Sequence, residues 1–100
     1  MEYYCHKPVP QAEFVQTVNY LNKIGASVEP VTIDGVIYLK IICPEGTQET
    51  FVGNDTLPDY AVKLPGGGEF YVRKLFHRGT LPNGAYQCVL FVGGEDRANS

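Results

Sequence analysis

One segment of this chain has the spacing of an amphipathic helix, and turn-forming residues divide everything that follows it. From Gln11 to Ile24, apolar side chains recur along one helical stripe, and Gly25 is a natural stop for the helix. Because 100 residues form one domain, we predict an α+β fold, with one amphipathic helix packed on a curved, mainly antiparallel sheet of five to seven short strands. The predicted stripe consists of Phe14, Val15, Val18, Leu21 and Ile24.

Turn chemistry sets the predicted strand boundaries. Asp34 and Gly35, between two β-rich runs, are a strong hairpin signal. Pro30 keeps the first of these runs short or places it at the edge of the sheet. The loop RGTLPNG, residues 78–84, can return the chain as another antiparallel hairpin. The other predicted strands are Glu2–His6, Val36–Cys43, Glu49–Val52, Tyr60–Leu64, Glu69–His77 and Ala85–Val92.

The composition is that of an ordinary globular protein, with 44% hydrophobic and 19% charged residues. No apolar run reaches the roughly 20 residues of a membrane helix, and the start of the chain does not resemble a signal peptide. Because three cysteines cannot all pair in a disulfide framework, we expect reduced thiols and a cytoplasmic protein. Residues 1–93 are predicted to form a single globular domain, and residues 94–100 a flexible polar tail.

The net charge of −3 conceals an uneven distribution. Residues 1–62 carry eight acidic and three basic residues, whereas residues 63–93 carry four basic residues and one acidic residue. One interpretation is that the two parts neutralise each other across the fold. The other is a positive surface for an anionic ligand or an acidic partner. The overall acidity disfavours nucleic-acid binding.

The glycine triplet of residues 66–68 precedes the most informative predicted strand. Phosphate-binding glycine loops lead into a helix, whereas Glu69–His77 has the aromatic and β-branched residues of a strand, so we interpret the triplet as a hairpin connection. Alternation puts Phe76 on a core-like face and gives the other face a phenol ring, a guanidinium and an imidazole, which is typical of an interaction surface. The predicted partner- or ligand-binding residues are Tyr71, Arg73, Lys74, His77 and Arg78.

No arrangement of residues in the sequence carries a catalytic or metal-binding signature. Zinc sites use closely spaced Cys and His pairs, and no cysteine or serine lies in a nucleophile motif. We therefore predict a protein that is not an enzyme, without catalytic residues, metal or cofactor. A third hypothesis is a Cys/His enzyme or metal protein, with Cys5 as the thiol expected to be least buried. Its candidate residues are Cys5, His6, Cys43, His77 and Cys88.

Two apolar strand segments, 36–43 and 88–92, need cover on both faces, whereas one helix covers one face of a sheet. The sheet must curl on itself, or a second copy or another protein must cover it, so a homodimer is one hypothesis. The acidic, tyrosine-rich profile is that of small adaptor, inhibitor or immunity-type proteins, including phage proteins. We predict a non-catalytic protein-binding domain that inhibits or regulates another protein. The alternative is binding of a small anionic ligand such as a nucleotide by the basic strand 71–78.

Overall fold

The computed structural model describes residues 1–8 and 10–93, which form one α-helix, one short 3-10 turn and seven β-strands. The helix packs on the sheet, so the predicted α+β class is confirmed, and the predicted tail 94–100 lies outside the described residues. Among the described residues, no helix is both long enough and apolar enough to cross a membrane. In chain order the elements are β1 (Glu2–His6), α1 (Gln11–Lys23), β2 (Ser27–Ile33), β3 (Val36–Ile42), β4 (Gln48–Phe51), β5 (Asp59–Lys63), β6 (Glu69–Lys74), the 3-10 turn (Phe76–Arg78) and β7 (Gln87–Phe91).

The strands form a single sheet in the order β2-β3-β1-β7-β6-β5-β4. Four of the neighbouring pairs are hairpins between strands that follow each other in the chain, and these are antiparallel. β1 also pairs with β3 in the antiparallel direction, so the predicted mainly antiparallel sheet is confirmed. β1 and β7 are parallel. No turn connects these two strands, so local turn signals in the sequence do not fix their direction.

The sheet curls strongly toward one face. β1 and β4 are separated by three intervening strands, which corresponds to about 19 Å across a flat sheet. The Tyr3 hydroxyl of β1 nevertheless donates a hydrogen bond of 2.7 Å to the Glu49 carboxylate of β4. The face that carries these two side chains is therefore concave. The sheet does not close into a barrel, since β2 and β4 remain at the two ends of the strand order.

The helix α1 packs on the concave face through a stripe that differs from the predicted one. Thr17 and Leu21 are its buried residues, whereas Val15, predicted in the stripe, is exposed. The helix rests near the start of β6, where the Tyr20 hydroxyl donates to the Glu69 carbonyl at 2.6 Å. This contact turns Tyr20 toward the sheet and Val15 toward solvent. The core cluster consists of Tyr3, Cys5, Leu21, Ala26, Ile41, Cys43, Val62, Leu64, Phe70, Val72 and Cys88.

The predicted hairpin at Asp34 and Gly35 is confirmed. Both residues have positive φ, 51° for Asp34 and 80° for Gly35, which is the conformation that a two-residue β-turn requires. The turn joins β2 to β3, with Ile33 opposite Val36. β2 is an end strand, so the prediction that Pro30 marks a sheet edge is also correct.

The glycine triplet is a hairpin connection between β5 and β6, as predicted. The Leu64 amide donates to the Gly68 carbonyl at 2.9 Å, and the Gly67 amide donates to the Leu64 carbonyl at 3.0 Å. Gly68 is required by packing, since a Cβ there would lie 2.5 Å from Cβ of Ile24 at the end of the helix. The third glycine therefore lets the helix approach the sheet closely.

The strands around the β6–β7 connection are shorter than predicted. β6 ends at Lys74 instead of His77, because residues Phe76–Arg78 wind into the 3-10 turn. β7 begins at Gln87 instead of Ala85, since an isolated bridge between Thr80 and Tyr86 precedes it. The predicted alternation of side chains therefore fails beyond Lys74. This change repositions several residues of the predicted site.

Candidate functional site

The structure divides the predicted binding residues among different surroundings. Tyr71 and Arg73 lie on the convex face of β6, and Lys74 lies on the concave face. His77 and Arg78 lie beyond the strand, in the exposed 3-10 turn. The predicted residues therefore do not form one continuous surface, although each stays a candidate for binding.

Arg73 is engaged within the fold. Its Nε donates to Asp59 Oδ1 at 2.5 Å and its Nη2 to Asp59 Oδ2 at 3.0 Å, which is a bidentate ion pair between cross-strand neighbours. The Asp59 side chain is 1% exposed. The hydrogen bond to Asp59 raises the pKa of Arg73, and the guanidinium also lies 5.1 Å from the centre of the Phe91 ring. Arg73 thus neutralises a buried carboxylate.

Lys74 is engaged on the other face. Its ammonium forms an ion pair with Glu49 and lies 4.3 Å from the centre of the Tyr60 ring. Glu49 also accepts the hydrogen bond from Tyr3 described above. Burial, and then the hydrogen bond to Glu49, raise the pKa of Tyr3 well above its ordinary value. This network links β1, β6 and the end strand β4 across the concave face, and it leaves Lys74 largely internal.

An exposed pair of aromatic side chains marks the loop between β6 and β7. Phe76 and Tyr86 meet edge to face, with ring centres 4.8 Å apart and planes at 87°. They are 44% and 40% exposed, which is unusual for two large rings in contact. His77 and Arg78 follow Phe76 directly. We call residues 75–86 the aromatic loop.

The side chains of His77 and Arg78 are available for contact. Both residues are exposed, and neither side chain forms a hydrogen bond or an ion pair within residues 1–8 and 10–93. The segment 70–93 contains no acidic residue. The aromatic loop therefore combines two exposed rings with an uncompensated guanidinium and an imidazole.

Backbone hydrogen bonds give the aromatic loop a fixed shape. The Arg78 amide donates to the Leu75 carbonyl at 3.0 Å, and this closes the 3-10 turn. The Leu81 amide donates to the Ala85 carbonyl at 2.7 Å, and the Leu81 side chain is buried. A loop held in this way loses little conformational freedom when it binds.

Phe76 and Tyr86 are the residues that the sequence analysis missed. A continuous strand from Glu69 to His77 would place Phe76 on the core face, with Phe70 and Val72. The 3-10 turn instead rotates Phe76 outward. The nearest sequence signal was the turn phrase at 78–84, whose tight geometry requires the chain to leave the strand before residue 78.

The cysteines are buried and unpaired. Cys5, Cys43 and Cys88 are free thiols, and the prediction that Cys5 is the least buried of them is wrong, since it has no exposed surface. Cys5 and Cys88 are register neighbours on the parallel strands β1 and β7. Burial raises the pKa of Cys5. Burial also raises the pKa of Cys43, so Cys5 and Cys43 have the surroundings of inert core thiols.

Metal and ligand sites are not evident in the described part of the chain. No group of three or more His, Cys, Asp or Glu side chains there could hold a metal ion. The imidazole Nε2 of His6 lies 2.9 Å from Oε1 of Gln87, and His77 lies in the aromatic loop. A shallow cleft of about 420 Å³ lies between α1 and β7, lined by Pro8, Glu13, Thr17 and residues 89–92.

Comparison with known proteins identifies no relative. No family model, no curated protein and no solved structure matches the chain significantly. Function is therefore argued from the geometry of the chain itself.

Proposed function

We propose that this protein is a non-catalytic binding domain that docks on another protein through its aromatic loop. The observation that carries the proposal is the exposed pair Phe76 and Tyr86, beside the uncompensated side chains of His77 and Arg78. Aromatic residues and arginine are the side chains that most often dominate binding energy at protein interfaces. The partner surface should combine an apolar pocket with acidic residues, because the loop offers rings and positive charge.

The energetics favour the two rings as anchors. A Phe or Tyr side chain buries roughly 200 Å² when fully covered, so covering the exposed part of each ring removes about 80–90 Å² from water. At about 25 cal/mol per Å², this contributes roughly 2 kcal/mol for each ring. The two rings can therefore anchor an interface, and the contacts around them have to offset the entropy cost of association.

The inhibitory or regulatory outcome is a further part of the proposal. It rests on the small, acidic, tyrosine-rich profile that this chain shares with inhibitor and immunity-type proteins, phage proteins among them. A domain that binds a partner without catalytic residues acts by covering a surface or by holding one conformation of that partner. We place this activity in the cytoplasm, in keeping with three free thiols.

Binding of a small anionic ligand by strand 71–78 receives less support from the geometry. Arg73 and Lys74 would have to contact the anion, yet their charges point to opposite faces and are bound to Asp59 and Glu49. An anion would have to displace one of these carboxylates. Ligand-dependent thermal stabilisation by a nucleotide would favour this alternative over the aromatic loop.

Site-specific photocrosslinking tests the proposal. A photoreactive benzoylphenylalanine replaces Phe76 in one variant and Val15 in a matched control, since Val15 is an equally exposed apolar side chain (44%) on α1, outside the aromatic loop. After irradiation in a lysate of the source cells, position 76 should label a discrete partner that position 15 does not. Adding Arg78→Glu to the position-76 variant should abolish that product.

The same experiment can refute the proposal. Equal labelling from positions 76 and 15, or no discrete product from position 76, would show that the aromatic loop is an ordinary solvated turn. If Arg78→Glu did not change the crosslinked product, Arg78 would not contribute to binding, and only the two rings would remain as proposed contacts. Far-UV circular dichroism confirms that each variant is folded before irradiation.

A further inference from the structure

Among the described residues, no strand pairs with the outer edge of β4. The Val52 amide donates to the Asp59 carbonyl at 2.9 Å, which identifies residues 52 and 59 as a hydrogen-bonded pair. Hydrogen-bonded pairs alternate along an antiparallel ladder, so Thr50 directs its backbone groups at Ala61 of β5. The amide and carbonyl of Phe51 and of Glu49 therefore point away from β5. No strand lies beyond β4 in the sheet of the described residues.

The opposite edge of the sheet is blocked. β2 contains Pro30, which has no N–H and interrupts the row of outward donors. β4 has neither a proline nor a lysine, and it carries the exposed Phe51 with the exposed Val52 directly after it. Proline is one of the usual protections of an edge strand, and β4 lacks it, whereas the one charge of β4, on Glu49, is neutralised by Lys74 within the fold.

We propose that β4 pairs with β4 of a second copy of this chain, antiparallel and around a two-fold axis at Thr50. In this register Glu49 of each copy lies opposite Phe51 of the other, and both contribute outward-facing backbone groups. Four intermolecular hydrogen bonds result, two from each Glu49–Phe51 pair. The two Thr50 side chains meet on the axis as a pair without backbone hydrogen bonds, a pairing that favours threonine.

Self-pairing suits the chemistry of this edge. A two-fold axis at Glu49 would place the two Glu49 residues opposite each other. An axis at Phe51 would place the two Phe51 residues opposite each other and leave Glu49 without an opposite residue in β4. The Thr50 register avoids like charges and covers Phe51 and Val52 of both copies, two of the more exposed apolar residues of the domain. A four-residue strand buries less than the area of a standard interface, so the dimer should be weak and concentration-dependent. The proposal is independent of the aromatic loop.

Sedimentation equilibrium tests the association. The wild-type protein should form dimers as its concentration rises toward about 1 mM, the range of a weak complex. Phe51→Lys should raise the dissociation constant by about tenfold or more, because it places two charges at the pairing edge. Ile37→Lys is the matched control, since Ile37 is equally exposed (48%) but lies on β3, within the sheet. A monomer throughout, or equal effects of both variants, would overturn the proposal.

Disulfide trapping tests the register. Thr50→Cys should give a covalent dimer under a mild thiol oxidant such as diamide, because the two Cα atoms would lie about 4.5 Å apart. Gln48→Cys should not, because the symmetry separates the two copies of residue 48 by about 13 Å. The native thiols are buried, so the wild-type protein gives the background. Equal trapping at both positions would overturn the Thr50 register.

Discussion

The ion pair between Arg73 and Asp59 offers a direct test of how this fold uses its charges. Replacing Arg73 by methionine leaves the Asp59 carboxylate, which is 1% exposed, without the guanidinium that binds both of its oxygens. Removing one partner of a buried ion pair costs about 3–5 kcal/mol. Methionine retains most of the apolar stem beside Phe91, so the loss reflects the charge and not the packing. Small domains have only about 5–15 kcal/mol of stability, so the effect should be large.

Urea denaturation followed by circular dichroism measures this free energy. Adding Asp59→Asn to the Arg73→Met variant should recover at least about 2 kcal/mol, because no buried charge then remains. If Arg73→Met does not fold, Arg73→Lys keeps the charge but loses the bidentate geometry, and a smaller loss of about 1–2 kcal/mol is expected. Lys40→Met is the control, since Lys40 is 3.9 Å from the exposed Glu2 carboxylate and should change stability by less than about 1 kcal/mol.

A loss for Arg73→Met no larger than that for Lys40→Met would refute the reasoning. It would mean that the Asp59 carboxylate does not depend on Arg73. The anionic-ligand alternative would then lose one of the arguments against it.

Three further predictions follow from the core. Thr17→Val should raise the free energy of unfolding, measured by urea denaturation, by about 1 kcal/mol, because the Thr17 hydroxyl is buried and has no hydrogen-bond partner among the described residues. A decrease in this free energy would show that the hydroxyl does have a partner in the cleft. The pKa of Tyr3 is raised in the folded state, so the folded protein keeps this proton when the unfolded chain begins to release it near pH 10.0. The free energy of unfolding should therefore fall above that pH by up to about 1.4 kcal/mol per pH unit. Tyr3→Phe should reduce this slope, and an unchanged slope would contradict the proposed role of Tyr3. Cys5, Cys43 and Cys88 should resist a thiol reagent in the folded protein and all react in urea; rapid alkylation of Cys5 without urea would contradict its burial.

The turns are the part of the fold that could best be predicted from the sequence. The Asp34-Gly35 hairpin, the edge position of Pro30 and the glycine connection before β6 were all predicted, because each depends on a few adjacent residues. The parallel pairing of β1 with β7 was not predicted. It joins strands from opposite ends of the chain, and no local pattern specifies such a contact.

The candidate site was harder to predict because it depends on where a strand stops. The alternation that predicted the faces of β6 holds through Lys74 and fails where the 3-10 turn begins. His77 and Arg78 are exposed, but they no longer continue the face of Tyr71. The failure also hid Phe76, which a longer strand would have directed into the core.

The uneven charge of the sequence allowed two interpretations, neutralisation across the fold and a positive surface for a partner. Which of the two applies to a basic residue depends on whether that residue lies in a strand or in a turn. A cation within a strand lies beside side chains of other strands on the same face. Arg73 of the basic part pairs with Asp59 on the neighbouring strand β5, and Lys74 reaches Glu49 on β4 across the concave face of the curled sheet. These two pairs are the predicted neutralisation across the fold. A cation in a turn has no cross-strand neighbour, and the Arg78 guanidinium forms no ion pair with the described residues. The end of β6 thus separates the charges that hold the sheet together from the charge proposed to bind another protein.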